Sequence, residues 1–404
     1  MIRKAIFPLI LFSLSLLFPQ DILEREFDIK PGKRLDVDLE TGGSITITGW
    51  DETQIKVKAY SDCEDIDIDI SERPSGLSIS TQQKSSWLHD DCDLEFDIHV
   101  PSLFDLDIET MGGGISIENV EGEIEGETKG GELNLTRIKG NVAMTTMGGN
   151  IILKNSDVDG RIKTMGGNIR IQDVTGDVKG SSMGGNITYK NVTQRGDKIV
   201  NISTMGGNLN IDSKGGKVKA KTWGGNIDAT GDEIDVSTMG GNITVKEAPL
   251  GANVHTMGGN IHIHSVNKYV KAKTMGGDID IDAVDGWVET STMGGDVTVT
   301  MIGNPVEGKR DVEIRSKGGD ISLTVPPGLS MDFDIELAYT RNSRRNYKID
   351  SDFDMQIEET DEWKRPRFMG SPRKYIYGSG SIAGGNNTIK IKTINGNIYL
   401  KRGK

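Results

Sequence analysis

The sequence predicts an all-β protein, a single-stranded parallel β-helix (β-solenoid) with 18-residue coils and a cap at each end. Three observations carry this reading. First, the residue before a Gly-Gly pair recurs at Met111, Lys129, Met147, Met165, Met183, Met205, Trp223, Met239, Met257, Met275, Met293 and Lys317. The intervals are 18, 18, 18, 18, 22, 18, 16, 18, 18, 18 and 24. A period held over about two hundred residues marks a stacked repeat and excludes an ordinary globular domain. Second, apolar and polar residues alternate on both sides of each Gly-Gly. In "KVKAKTWGGNIDA", Val218, Ala220, Thr222, Ile227 and Ala229 share one face and Lys217, Lys219, Lys221 and Asp228 the other. That is the period of a half-buried strand. Third, no segment of the repeat carries a 3.6-residue apolar stripe.

The chain opens with a short basic segment, Arg3 and Lys4, and an apolar run over 5–18. Fourteen residues are short for a membrane span, which needs about 20, and fit a signal peptide over residues 1–20, with an uncleaved anchor as the alternative because no small-x-small cleavage triplet stands there. No second apolar span follows, so no membrane span is expected after cleavage. Residues 21–104 read as an N-terminal β region and cap. They hold both cysteines, Cys63 and Cys92. In an exported chain these are expected to form a disulfide, closing a loop of about thirty residues and stabilising it by roughly 3 kcal/mol.

Residues 105–325 form the repeat proper. Each unit is two short strands, closed by Gly-Gly at one end and by a turn such as "DVTGD" at the other. Two strands bury little alone; stacked at about 4.8 Å per rung, a dozen units make a rod about 55–60 Å long. With 52 glycines and 5% aromatic residues the chain suits such a thin core. Residues 326–404 read as a C-terminal β region, with a charged insertion over 341–379 before a last coil, "IKIKTINGNIYL".

The repeat motif can be read position by position. Gly-Gly is expected at a tight corner needing positive φ. A phosphate-cradling loop would need a following helix, and a strand follows each time, which argues against nucleotide binding. The asparagines after the corner, Asn150 to Asn260, stack into an amide ladder, in which Asp278, Asp296 and Asp320 later replace asparagine. Calcium takes such oxygen ligands, but the calcium-binding G-G-x-G-x-D nonapeptide is absent, and these read as solvated turn carboxylates.

Strand parity turns the methionine position outward and the preceding threonine inward. The column Met165, Met183, Met205, Trp223, Met239, Met257, Met275 and Met293 is then a lid over the glycine corner, a binding ridge for a partner, or a soft-metal ladder for Cu(I). Lys129 and Lys317 in the same column place it outside the core.

Outward positions also assemble an ionisable patch of His262, His264, Asp278, Asp280, Asp282 and Asp296, with His262 beside Asp280 and His264 beside Asp282 in register. Carboxylates on such a face serve polysaccharide lyases and hydrolases as acid, base or calcium ligands. Cross-strand Asp–His pairs are also ordinary surface pairs. The turns are too short to wall a cleft, so no catalytic residue is assigned. Five histidines and no C-x-x-C give no expected metal site or cofactor. The net charge of −13 argues against a nucleic-acid partner.

The stretches "GSITITGWDETQIKVKAY", "DLEFDIHVPSLFDLDIETMGGGISIENVEGEIEGET" and "NNTIKIKTINGNIYLKR" resemble the bacterial DUF4097 family of exported or surface-associated, adhesin-like repeat proteins, related to the DUF2807 autotransporter-head-like domain. The resemblance covers nearly the whole mature chain. It implies a β-helix with a role at the cell envelope, surface or outside the cell, and it brings no catalytic residues. The expectation is therefore a non-enzymatic protein presenting a repetitive face to a surface, glycan or protein partner. The alternatives are a carbohydrate-active enzyme using His262, Asp280 and Asp282, and a periplasmic scaffold or sensor partner.

Overall fold

The computed structural model describes residues 21–404 apart from 63–64, 85–92, 197–198, 344–345 and 366–369. The expected signal segment (residues 1–20) and the Cys63–Cys92 disulfide lie outside the described residues. Those residues are all-β, with 34 strands and no helix.

The strands form two parallel ladders, one before the Gly-Gly corner and one after it. The register advances by one repeat per rung. In the first ladder Ile124 pairs with Val142, Val142 with Gly160, and Gly160 with Val178. In the second Ile151 pairs with Ile169, and Ile169 with Ile187. Across the 22-residue spacing Ile187 still pairs with Leu209, but the register shifts between Tyr189 and Val192. The 16-residue spacing is absorbed by a bulge near Ala229 and Thr230.

Alternation puts the apolar side chains of both ladders between them, and the buried residues form one continuous core from Ile29 to Leu400. Because that core is only two side chains thick, bulk on one ladder needs room on the other. Tyr189 is the example. It is fully buried, its hydroxyl donates to the Val178 carbonyl at 2.5 Å, and it lies against Gly180, where a β-carbon would come within 3.0 Å of the phenol oxygen. Burial pushes its ionisation well above the ordinary tyrosine range.

The two ends depart from parallel stacking. At the N-terminal end Asp21–Phe27 and Leu94–Pro101 both pair antiparallel with Ile55–Ser61, and Ile66–Arg73 pairs antiparallel with Gly76–Gln83. At the C-terminal end Arg373–Ile382 pairs antiparallel with both Met331–Thr340 and Gln356–Glu359. The charged stretch 341–379 thus contributes strands to this end.

The repeat glycines correct the sequence reading. In the repeat column the pairs from Gly130-Gly131 to Gly318-Gly319 lack left-handed backbone angles; Gly113 of the first pair has them, as do Gly215 and Gly216, which lie outside the column. The left-handed residues sit at the opposite corner instead, at Asn119, Arg137, Asn155, Asp173 and Asn191, spaced by 18. What the second glycine of each pair supplies is clearance. A β-carbon on Gly149, Gly167 or Gly259 would lie 1.8–2.0 Å from the glycine carbonyl oxygen one rung below. A β-carbon on the first glycine would meet that rung at 3.4–3.6 Å, an ordinary contact, as at Gly148, Gly166 and Gly258. In the last rung Asn395 replaces the first glycine and, unlike the glycines of the column below it, is left-handed, while Gly396 keeps the second place, where a β-carbon would lie 1.9 Å from the Gly319 carbonyl oxygen.

Candidate functional site

The motif builds one edge of the molecule from three parallel columns. The innermost is threonine. Thr256 is fully buried; its hydroxyl donates to the Gly241 carbonyl of the rung below at 2.9 Å and accepts the Gly259 N–H at 3.3 Å. The same pair of bonds recurs at Thr146, Thr164, Thr222, Thr274 and Thr292, and at Ser182 and Ser316. The sequence reading placed threonine in the core but missed this stitch. Its signal was available, since only hydroxyl residues stand at the position.

The next column is asparagine. The side-chain Oδ1 of Asn150 accepts the backbone N–H of Asn168 at 2.9 Å, and the pattern continues through Asn186, Asn208, Asn226, Asn242 and Asn260. It runs on without a break through Asp278, Asp296, Asp320 and Asn397. The ladder therefore uses the side-chain oxygen, which asparagine and aspartate both offer. That explains why the two exchange. At Asp278 and Asp296 one carboxylate oxygen is already occupied by a rung-to-rung hydrogen bond.

The outermost column is methionine, and it is exposed. Met147, Met165, Met183, Met205, Met239, Met257, Met275 and Met293 show 37–47% of their surface to solvent and Trp223 shows 55%. Backbone bonds hold these rungs in step, with the Gly166 N–H donating to the Met147 carbonyl and the Gly258 N–H to Met239. Nine successive rungs thus carry an apolar side chain at one position, spanning about 38 Å at the inter-strand spacing. Polar residues flank it, with Lys163, Ser203, Lys221 and Lys273 on one side and the asparagine column on the other.

The ionisable patch lies on the outward face of the second ladder. His262 pairs with Asp280, and Asp280 with Thr298, as the repeat spacing predicts. Burial and the neighbouring Asp278 and Asp282 raise the Asp280 carboxyl above the ordinary aspartate value, against the opposing pull of His262 and a hydrogen bond from Thr298. The tighter cluster is His262, His264 and Asp282. His262 Nε2 lies 3.0 Å and His264 Nδ1 2.8 Å from Asp282 Oδ2, and the two ring nitrogens are 3.1 Å apart. The imidazole rings meet edge to face at 4.2 Å. Asp278 and Asp296 belong to the corner ladder. No helix among the described residues is long and apolar enough to cross a membrane, which leaves strands unaddressed.

No protein-family model matches the chain, and no curated protein matches it. Among solved structures it is similar to a "putative cell adhesion protein" from Clostridium sporogenes at 9% identity, covering 95% of this chain and 100% of that one, with a TM-score of 0.17. It is also similar to a "putative lipid binding protein" from Parabacteroides distasonis at 12% identity, over 75% of this chain and 96% of that one, with a TM-score of 0.22. A "putative adhesin" from Bacteroides fragilis matches at 12% identity, over 95% and 97% of the two chains, with a TM-score of 0.15. At these scores nothing about function is carried over from them.

Proposed function

We propose that the protein is a β-solenoid of 18-residue coils, capped at both ends, that acts without catalysis as an exported, adhesin-like protein of the cell envelope or surface. It presents its methionine column to a surface, glycan or protein partner. The DUF4097 resemblance supports the location. The observation that carries the binding role is the exposed column itself. Contiguous apolar surface rimmed by polar groups marks interaction sites, whereas single exposed apolar residues are commonplace. Thioether side chains are polarizable and adaptable, which suits a ridge meeting an irregular partner. The threonine and asparagine columns beneath hold the ridge straight, so that its repeat can match a repetitive target.

Two measurements test this. Intact cells making the protein are treated with an amine-reactive label that cannot cross membranes, and labelling of this chain is expected. Purified protein is then passed over octyl-coated and hydroxyl-coated surfaces. Retention on octyl is expected to fall at least about tenfold when Met183, Met205, Trp223 and Met239 are all changed to Ser. Failure to label intact cells overturns the surface location, recovery of the chain in the cytoplasm overturns export, and equal retention of the variant overturns the binding role.

A further inference from the structure

The three donor atoms of His262, His264 and Asp282 converge more closely than hydrogen bonding among them can explain. Their separations of 2.8, 3.0 and 3.1 Å are all within hydrogen-bonding range. A neutral imidazole carries one N–H and the carboxylate none. At most two protons are therefore available at these atoms for three contacts. Directing both at Asp282 Oδ2 leaves the ring nitrogens facing each other as two donors. Using one nitrogen as acceptor for the other strips one carboxylate contact of its proton. A cation facing all three lone pairs satisfies every contact at once.

We infer that His262 Nε2, His264 Nδ1 and Asp282 Oδ2 form a binding site for a divalent first-row transition-metal ion. The separations support this choice of ion. Nitrogen and oxygen ligands sit about 2.0–2.1 Å from such metals. Ligands at right angles around the ion are then about 2.9 Å apart, and tetrahedral ones about 3.4 Å. The observed triangle matches three adjacent corners of an octahedron. Two imidazoles with one carboxylate are donors that suit zinc, nickel, cobalt and iron better than calcium or magnesium. The remaining positions face solvent, where water or a donor atom from a partner completes the shell.

The backbone holds this arrangement in advance. His262 and His264 flank Ile263, and Asp282 follows Ile281; both isoleucines are buried and pair directly across the ladder. Each donor thus projects from a strand position fixed by its apolar neighbour. The other imidazole on this part of the repeat, His255, lies on the first ladder, where it pairs with Lys273 and Ser237.

The test uses untagged full chain, so that no histidine tag competes. Titration calorimetry with Zn2+, and absorption spectroscopy with Co2+ as a probe, are run on the protein and on His262→Ala, His264→Ala, Asp282→Asn and His255→Ala. One equivalent of metal is expected to bind, with a Co2+ spectrum of the weak, six-coordinate kind. Affinity should fall at least about tenfold in each of the first three variants and stay unchanged in the fourth. Circular dichroism checks that the variants remain folded. The proposal is overturned if saturable binding of one equivalent is absent, or if it survives in the three ligand variants.

Discussion

Changing Gly259 to Ala should open the stacked ladders at one rung, while the same change at Gly258 should leave them closed. A β-carbon at Gly259 would stand 2.0 Å from the Gly241 carbonyl oxygen and 2.4 Å from its carbon. Both are backbone atoms, so no side chain can turn aside. Relieving the clash needs a local separation of at least about 1 Å, since carbon–oxygen contacts below 3.0 Å do not persist. Three bonds cross that gap at 2.8–2.9 Å: Thr256 Oγ1 to the Gly241 carbonyl, the Asn260 N–H to Asn242 Oδ1, and the Ile243 N–H to the Asn260 carbonyl. An extra 1 Å takes each beyond hydrogen-bonding distance, and at about 1 kcal/mol apiece the loss is about 3 kcal/mol. That agrees with the upper range for overpacking. At Gly258 the nearest atom would be 3.6 Å away and the backbone is not left-handed. Alanine there should be neutral or stabilise by up to about 1 kcal/mol through the unfolded chain. Stacked repeats need not unfold in one step, so the assay is hydrogen exchange over residues 238–264. Protection there should fall about a hundredfold in Gly259→Ala and hold in Gly258→Ala. Equal losses in both would show that backbone angle, not clearance, is what the glycines provide.

Two further predictions follow from the same geometry. Thr256→Val leaves the Gly241 carbonyl and the Gly259 N–H unpaired in a buried place and should cost about 1–3 kcal/mol in local opening free energy. Thr256→Ser should restore most of it, because Ser182 makes the same two bonds at 2.9 Å each. Tyr269 stacks on Trp287 and donates to Glu233 Oε1 at 3.0 Å; burial first, then that bond, push its phenol up to about 12. Since the folded value is raised, its stabilising share is complete below the unfolded value of about 10 and is lost as pH rises toward 12. Tyrosine-selective NMR titration should show Glu233→Gln moving Tyr269 back toward 10 while Tyr339, held up to about 12 by burial and Glu359, stays in place.

Much of this was legible because a repeat of fixed length dictates its own register. Once strands alternate and stack, the residue 18 positions on is the neighbour, and His262 falls over Asp280 by arithmetic alone. The asparagine ladder was legible for the same reason, although the acceptor role of its oxygen needed the backbone N–H in view. The glycine role was not legible. Glycine is compatible with both a left-handed corner and a close approach, and the sequence does not distinguish them. Asn119, Arg137, Asn155, Asp173 and Asn191 hold the left-handed angles at the other corner, and arginine there gives no hint of it. The cluster of His262, His264 and Asp282 was half legible, and the sequence reading expected no metal there. The register supplied the pairings, but counting protons against contacts requires the distances.

The ends carry the remaining information, because there spatial order departs from chain order. The first rung in sequence is not the outermost. Arg34–Leu39 lies between Gly76–Gln83 and Asp105–Thr110, and Ser44–Trp50 lies between Leu94–Pro101 and Ile115–Glu118. The last rung is enclosed likewise, with Asn387–Ile394 between Val312–Arg315 and Met331–Thr340, and Ile398–Arg402 between Ile321–Val325 and Ile349–Ser351. Neither of these rungs can peel away without first displacing the strands outside it. The outermost strands are suited to stop growth. Ile66–Arg73 carries Asp67, Asp69 and Glu72; Gln356–Glu359 is exposed throughout and ends in two glutamates; Ile349–Ser351 is three residues long. A parallel ladder offers unpaired backbone groups at both ends and would extend through a second copy unless blocked. Acidic edges at both ends, short ones at the C-terminal end, make such joining bring like charges together. The stacked repeat therefore ends at defined strands while the methionine column runs along it.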